Sequence, residues 1–402
     1  MRNRKMNLKI LFLFIIVYLL TGSQKFLIAQ DSTTTPADVI YSRPFITNIG
    51  SSNTSIGGYA EGNTNYFKTE GITEGFSMEM RRFNIFLYSA IGSNIRFISE
   101  LEFENGAEEI ALETALVDFE IDPAFILRGG IILPAIGQFN QNHDGPKWDI
   151  IERPLVSTQI IPSTLSEIGF GAHGTFYGSN LTLSYQAYVT NGLQNTIILN
   201  EEGRTFLPAG KTDDIFAEDN NGTPAMNGKI SLTHPVLGEL GLSYYGGVYN
   251  NFRLEGEQIA PKRRFHLAAV DLSTHIKKLS IKSEIALSFI DLPDDLTETL
   301  GDQQFGGFID FIYPLLTTRL WNYDKARLNG ILRLERVDFN VGSFSQTGDN
   351  IQDDVNALTT GFSFWPNENT VVKFNFRRLW TDDLLGNPSS SAGIQAGFAT
   401  YF

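Results

Sequence analysis

From about residue 54 onward, apolar and polar residues alternate in short runs, and this alternation predicts the fold. In TVVKFNFRRLW, Val372, Phe374 and Phe376 alternate with Lys373, Asn375 and Arg377. In LSIKSEIALSF, Leu279, Ile281, Ile285, Leu287 and Phe289 oppose Ser280, Lys282, Glu284 and Ser288. In NIRFISELEFE, Ile95, Phe97, Leu101 and Phe103 oppose Arg96, Glu100 and Glu102. A period of two places one set on each face of a β-strand. Such runs predict sixteen strands, at about 54–68, 76–91, 94–104, 108–121, 125–136, 167–176, 180–190, 225–234, 239–250, 262–276, 279–290, 303–313, 327–339, 353–365, 369–380 and 391–402.

The connections fall into two classes. Gly92-Ser93-Asn94, Asp122-Pro123-Ala124, Tyr177 to Asn180, Pro235 to Glu239, Lys277-Lys278 and Pro366 to Thr370 are short and occupy every second junction. The alternate connections, near 69–75, 105–107, 137–166, 191–224, 251–261, 291–302, 340–352 and 381–390, are mostly long. Two junctions fit this rule poorly: Asn105-Gly106 predicts a tight hairpin among the long loops, and residues 314–326 are long for a short turn. An even strand number with short turns at one end and long loops at the other predicts an all-β fold, a transmembrane antiparallel β-barrel with periplasmic termini. A soluble β-sandwich would alternate too, but it would have to bury the outward Phe residues against a second sheet. The stretch GIQAGFATYF, residues 393–402, has Ile394, Ala396, Phe398 and Phe402 on one parity and is expected to close the barrel against the first strand. Phe402 would then join the aromatic girdle at the membrane interface.

At the other end, MRNRKMNLK is basic, ILFLFIIVYLL is continuously apolar, and TGSQKFLIAQ leads into polar DSTTTPAD. This is the layout of a signal peptide, expected over residues 1–30 with cleavage near Ala29 or Gln30. A periplasmic segment is expected over 31–50 and the barrel over 51–402, in the bacterial outer membrane and in contact with its lipid. The chain has no cysteine, which excludes disulfides and a lipid-modified cysteine anchor. The signal peptide holds five of the 31 basic residues and no acid, leaving 26 against 45 and a net charge of −19, which argues against a nucleic-acid partner. With 12% aromatic and 19% charged residues, the composition suits strands that are apolar on one face and wet on the other.

Two blocks carry a resemblance. One runs RRFNIFLYSAIGSNIRFISELEFENGAEEIALETALVDFEIDPAFILRGGIILPAIGQFN and continues through IIERPLVSTQIIPSTLSEIGFGAHG, and the other is GFSFWPNENTVVKFNFRRLW. Over residues 81–174 and 361–380 the chain resembles the family of phosphate-selective porins O and P, in the form common in Bacteroidetes-type bacteria. The resemblance implies a water-filled barrel, a homotrimer, and one long loop folded inward to narrow the pore. Residues 137–166 are the candidate loop, with Lys147, Trp148, Asp149 and Arg153 nearest the path. Many outer-membrane barrels also end in Phe, which implies that Phe402 serves as a signal to the barrel assembly machinery.

No zinc spacing and no glycine-rich phosphate loop occurs, and neither enzyme chemistry, a cofactor nor a metal is expected. His173, His266 and His275 fall inside strands and His234 beside a turn, so His143, in Asn142-His143-Asp144-Gly145, is the one histidine placed to act as a base or metal ligand. A solvated loop histidine is the favoured reading. Acidic clusters at Asp213-Asp214, Glu218-Asp219 and Asp291 to Glu298 lack the spacing of a calcium loop. The lumen-parity charges Arg96, Glu100, Glu102, Arg128, Lys282, Glu284, Arg327, Arg333, Lys373 and Arg377 line the expected water path. They either solvate the wall or set a transverse field at the constriction. Two functions fit: a passive channel for small hydrophilic solutes or ions, with anions including phosphate among them, and a surface binding or structural barrel without an open pore. Sixteen strands leave room for an aqueous channel, favouring the first. Strong phosphate selectivity is not expected, because the chain after residue 30 has ten lysines and the candidate loop only Lys147, flanked by Asp144, Asp149 and Glu152.

Overall fold

The computed structural model describes residues 39–47, 53–212, 216, 219 and 221–402. The expected signal peptide, most of the segment 31–50, and Asp213, Asp214 and Glu218 of the acidic clusters lie outside the described residues. Strands β1 (Thr54–Thr69), β2 (Phe76–Ile91), β3 (Ile95–Glu104), β4 (Glu109–Asp122) and β5 (Phe125–Ile132) lead into the long connection. Then come β6 (Glu167–Tyr177), β7 (Thr182–Thr190), β8 (Ala225–His234) and β9 (Gly238–Val248), followed by a loop hairpin of β10 (Arg253–Leu254) and β11 (Glu257–Gln258). The chain continues through β12 (Arg264–Ile276), β13 (Leu279–Ile290), β14 (Gln303–Leu320), β15 (Tyr323–Asp338), β16 (Asp354–Asn367), β17 (Thr370–Asp382) and β18 (Pro388–Tyr401). All but β10 and β11 form one closed antiparallel barrel of sixteen strands, in which β1 pairs with β18 from Tyr59 opposite Tyr401 to Thr69 opposite Ser391. Closure satisfies every strand edge, the condition for crossing lipid with β-structure.

The alternation separates two environments. On β17, Val372, Phe374 and Phe376 are 40–50% exposed while Lys373, Asn375 and Arg377 are buried inside. Phe170, Met226, Leu242, Ile285, Phe362 and Phe398 continue the outer apolar surface on other strands. Each large apolar side chain gains about 1.5–3 kcal/mol on leaving water, and a soluble monomer rarely exposes more than a few hundred Å² of contiguous apolar surface. A belt of this extent is stable only in hydrocarbon, which places the barrel in the outer membrane.

Two departures from strict alternation matter inside. Glu61 pairs with Arg82 and Gly62 with Met80, so Arg81 is the extra residue of a β2 bulge. Glu100 pairs with Thr114 and Leu101 with Leu112, so Glu113 is the extra residue of a β4 bulge, and Glu113 and Thr114 are both buried. A bulge lets two successive side chains face the same side. Elsewhere the ends of strands move. The strand expected over 125–136 stops at Ile132, ahead of Pro134, which has no donor for the ladder. The connection expected over 314–326 is instead mostly strand: β14 and β15 extend to Leu320 and Tyr323, leaving Trp321-Asn322 as the turn. β14 accommodates Pro314, which has no ladder donor, at a register shift between Pro314 and Leu316.

The interior holds an apolar core of its own. Ile136, Phe139, Trp148, Val156, Ile160 and Ile161 from the connection after β5 cluster with Leu193, Ile197 and Leu207 from the connection after β7. Tyr245, Phe265, Leu267, Phe308 and Val337 of the wall complete the cluster. Such packing fixes long connections that carry little regular structure.

Candidate functional site

The connection after β5 is fastened to the inner wall by side chains that satisfy its backbone. Gly137 N donates to Ser243 Oγ at 2.9 Å, and Gly137 O accepts from Lys229 Nζ at 2.7 Å. Gln138 N and Ser157 Oγ donate to opposite oxygens of Glu284, at 2.7 and 2.8 Å. Lys373 Nζ donates to the carbonyls of Gly145 and Ile150, and Asn375 Oδ1 accepts from Ile151 N at 2.9 Å. Arg333 donates to Glu152 O at 2.8 Å, and Leu155 N, opening the short helix α1 (Leu155–Gln159), donates to Glu335 at 2.7 Å. These anchors come from β8, β9, β13, β15 and β17, so the connection spans the lumen. Buried backbone groups need such partners, and the lumen-parity polar residues supply them.

A second segment enters the same space. Ile40 is buried against Tyr88, Ile98, Leu116, Ile132 and Tyr188 of the wall. Tyr41 Oη donates to Asp118 at 2.6 Å, and Phe45, in the helical turn Pro44–Thr47, stacks on Phe86 with centroids 5.3 Å apart. Arg43 meets the connection after β5: its Nε and Nη2 donate to the two oxygens of Asp144, each at 2.9 Å, and Nη2 lies 3.5 Å from Glu100. Tyr401 Oη also donates to Asp144, at 2.6 Å. Burial pushes the Asp144 carboxyl up, but Arg43 and Lys147 outweigh it and hold the group well below the usual range.

Most lumen charges are paired with the opposite sign. Arg128 is bidentate to Asp118, Arg333 is bidentate to Asp310, and Arg96 pairs with Glu120. Arg377 pairs with Glu335 at 3.3 Å, and Lys229 with Asp271 at 2.8 Å. Arg82 reaches Glu102 at 2.9 Å and Glu104 at 2.6 Å. Glu152 is bound by Arg81 at 3.1 Å and Gln395 at 2.6 Å. Burial raises its pKa, but Arg81 and Arg377 bring it down to about 2.

The four constriction candidates have different surroundings. Asp149 is buried at the β15–β16 wall, accepting from Asn329, Ser363 and Trp365. Trp148 is buried, donates to Asn142 O at 2.6 Å and carries Lys282 over its ring at 4.6 Å. Lys147 turns back to Asp144 at 3.5 Å. Arg153 bonds Thr164 Oγ1 at 3.0 Å and lies over Phe139. Among the described residues, Arg153, Lys282 and Arg327 have no carboxylate at ion-pair distance, and Arg327 lies over Trp365. Arg153 and Lys211 are within electrostatic reach of Glu102 and Glu113, so basic loop groups face an acidic stretch of wall. Phe402 hydrogen-bonds Gly58 in both directions and stacks on Phe83.

Solved structures share this arrangement of strands. An anion-selective porin from Comamonas acidovorans superposes with a TM-score of 0.56 at 10% identity, over 87% of this chain and 99% of the other. The barrel has the porin fold. The outer membrane channel DcaP of Acinetobacter baumannii aligns with a TM-score of 0.54, also at 10% identity, over 87% of this chain and 97% of its own. In sequence, a stretch of 206 residues is 32% identical to an uncharacterized protein of Aquifex aeolicus (strain VF5). That match spans 49% of this chain and 45% of the relative. The chain matches no family model.

Several residues of this porin-fold interior are not foreseen from alternation. Arg81 and Glu113 point inward only because of the bulges, and Arg43 belongs to no strand. Asp118, Lys229, Asp271, Asp310 and Glu335 have lumen parity and complete the ion pairs. His143 is buried and faces Glu113, with Nε2 3.1 Å from Glu113 Oε2, rather than Asp144. Burial would lower its pKa, but Glu113 and Glu100 raise it to about 10.

Proposed function

We propose that the protein is an outer-membrane channel for small hydrophilic solutes or ions, with its lumen narrowed by residues 133–166 and 39–47, and that it is not strongly phosphate-selective. The polar interior of a closed sixteen-stranded barrel carries the first part of this reading. The pairing of lumen arginines with lumen carboxylates carries the second. A divalent anion needs several uncompensated positive donors to replace its hydration. Arg128, Arg333 and Arg377 instead spend their donors on Asp118, Asp310 and Glu335. Arg153, Lys282 and Arg327 remain without a carboxylate partner, Arg153 facing the Glu102 and Glu113 wall and the other two lying over Trp148 and Trp365, and they give at most a weak preference among ions. The resemblance to phosphate-selective porins O and P then reflects shared architecture with an altered interior. A homotrimer, and a role for Phe402 in recognition by the assembly machinery, belong to the same reading.

Planar-bilayer recording tests it. The purified protein should conduct, show weak preference in salt gradients, and keep its chloride current when submillimolar phosphate is added. Block by submillimolar phosphate would overturn the selectivity reading. A correctly folded protein with no conductance would favour the alternative, a binding or structural barrel, which the tight filling of the interior makes the competing case.

A further inference from the structure

Glu100 on β3, Glu113 at the β4 bulge and His143 on the connection after β5 bring one ligand atom each to within 4.8 Å of one another, all three residues buried. His143 Nε2 is 3.1 Å from Glu113 Oε2 and 3.9 Å from Glu100 Oε1. The outer atoms of the cluster are already oriented. His143 Nδ1 lies 2.9 Å from Asn140 O, a carbonyl that fixes Nδ1 as the donor and turns Nε2 toward the carboxylates. Glu100 Oε1 accepts from Asn84 Nδ2 at 2.7 Å. A ring nitrogen held by a backbone carbonyl, and a carboxylate held by a neighbouring amide, are the supports that ligand sets carry. A second observation points the same way. Thr114 Oγ1 and Tyr59 Oη are buried without a hydrogen-bond partner among the described residues. Thr114 follows Glu113 and pairs across the ladder with Glu100, so its orphaned hydroxyl borders the cluster, and Tyr59 lies within electrostatic reach of Glu100. Buried hydroxyls left open mark the place of a water or an ion.

We propose that Glu100, Glu113 and His143 bind a zinc-class divalent transition ion. The atoms around a tetrahedral ion at about 2 Å are roughly 3.3 Å apart, so the 3.1 Å pair already fits and the 3.9 Å pair needs a small inward shift. Two carboxylates, with an imidazole whose Nε2 proton the incoming ion displaces to solvent, balance a divalent charge. A nitrogen donor with only two carboxylates suits zinc, cobalt or nickel better than calcium, which takes six to eight oxygens. Arg43 is the competing cation at Glu100, but its contact there is long at 3.5 Å, and both of its short bonds go to Asp144. The ion would join β3, β4 and the connection after β5 at one point, clamping that connection to the wall. This inference does not depend on conduction.

The test uses folded, EDTA-washed protein in detergent, titrated with CoCl2 by visible absorbance and with ZnCl2 by calorimetry. Wild type should bind one ion per barrel and give the visible bands of four-coordinate cobalt. His143→Gln and Glu113→Gln should each weaken binding at least tenfold while retaining heat-modifiable mobility on gels. Glu257→Gln, on the external hairpin, should bind as wild type. Glu113→Gln preserves shape and keeps the test valid if His143→Gln misfolds. Absence of saturable binding to wild type, or equal affinity in both site variants, would overturn the proposal.

Discussion

At the scale of single residues, alternation identifies a lumen charge but cannot identify its partner. Arg333 has lumen parity in the sequence, yet its bidentate bond to Asp310 depends on the register between β14 and β15. Removing one member of a buried pair strands the other and costs about 3–5 kcal/mol, whereas replacing both with apolar groups is often neutral. Arg333→Ala should therefore lower the temperature at which the folded band is lost on gels, and the double variant Arg333→Met with Asp310→Leu should recover much of that loss. An equal loss in both would mean that the bond from Arg333 to Glu152 O is what matters. Arg81 and Glu113 were missed because each sits where a strict period of two aims it at lipid. A signal was present: Arg81-Arg82 are successive charges, and strict alternation would leave one facing hydrocarbon at about 2–4 kcal/mol at the midplane. Such a pair in a strand predicts a bulge. Glu152 supplies a pH dependence whose sign follows from its pKa, lowered to about 2 from the ordinary 4.5. Its bonds to Arg81 and Gln395 contribute stability that is complete above pH about 4.5 and is lost as pH falls through about 2. Conductance should rise over that window in wild type and not in Glu152→Gln, for which flat behaviour in both would assign the acid limb to other groups.

Strands were legible to within a few residues because their two faces meet different solvents, and every lumen-to-lipid inversion is penalised. The connections were not, since their backbone is held by individual wall side chains such as Lys373, Asn375 and Glu284 and carries no period. β14 shows the limit inside strands: expected to end at residue 313, it runs on to Leu320 through a register shift at Pro314. The path of the connection after β5 gives a direct test at Gly145. A Cβ built there would overlap the Glu61 carboxylate and approach Ala399, so a side chain at position 145 has to displace Glu61 and crowd Ala399. Gly145→Val should push the connection off β1 and β18, weaken the Lys373 bonds to Gly145 O and Ile150 O, and raise single-channel conductance with the barrel intact. Conductance equal to wild type, in a variant that keeps its heat-modifiable mobility, would place the narrowest point away from this contact.

For the molecule as a whole, the sequence foretold a container more clearly than its contents. Closure of β1 on β18 followed from strand count and parity, but the occupation of the lumen by residues 39–47 did not, because that stretch carries neither alternation nor a helical period. Its hold on the barrel has two parts that can be separated. Ile40 fills an apolar site among Tyr88, Ile98, Leu116, Ile132 and Tyr188, worth about 1.5–3 kcal/mol for a fully buried side chain. Arg43 ties the segment to Asp144, and through it to Tyr401 and Lys147. If these contacts narrow the channel, Ile40→Asp should release the segment by burying a charge in an apolar site, while leaving the wall and the connection after β5 unaltered in composition. Deletion of residues 39–47 should do the same more completely, with Asp144 keeping Lys147 and Tyr401 as partners. Both variants should conduct more than wild type, the deletion at least as much as Ile40→Asp, and both should admit larger solutes in liposome-swelling assays. Wild-type conductance in both would mean that residues 39–47 brace the barrel without restricting the path.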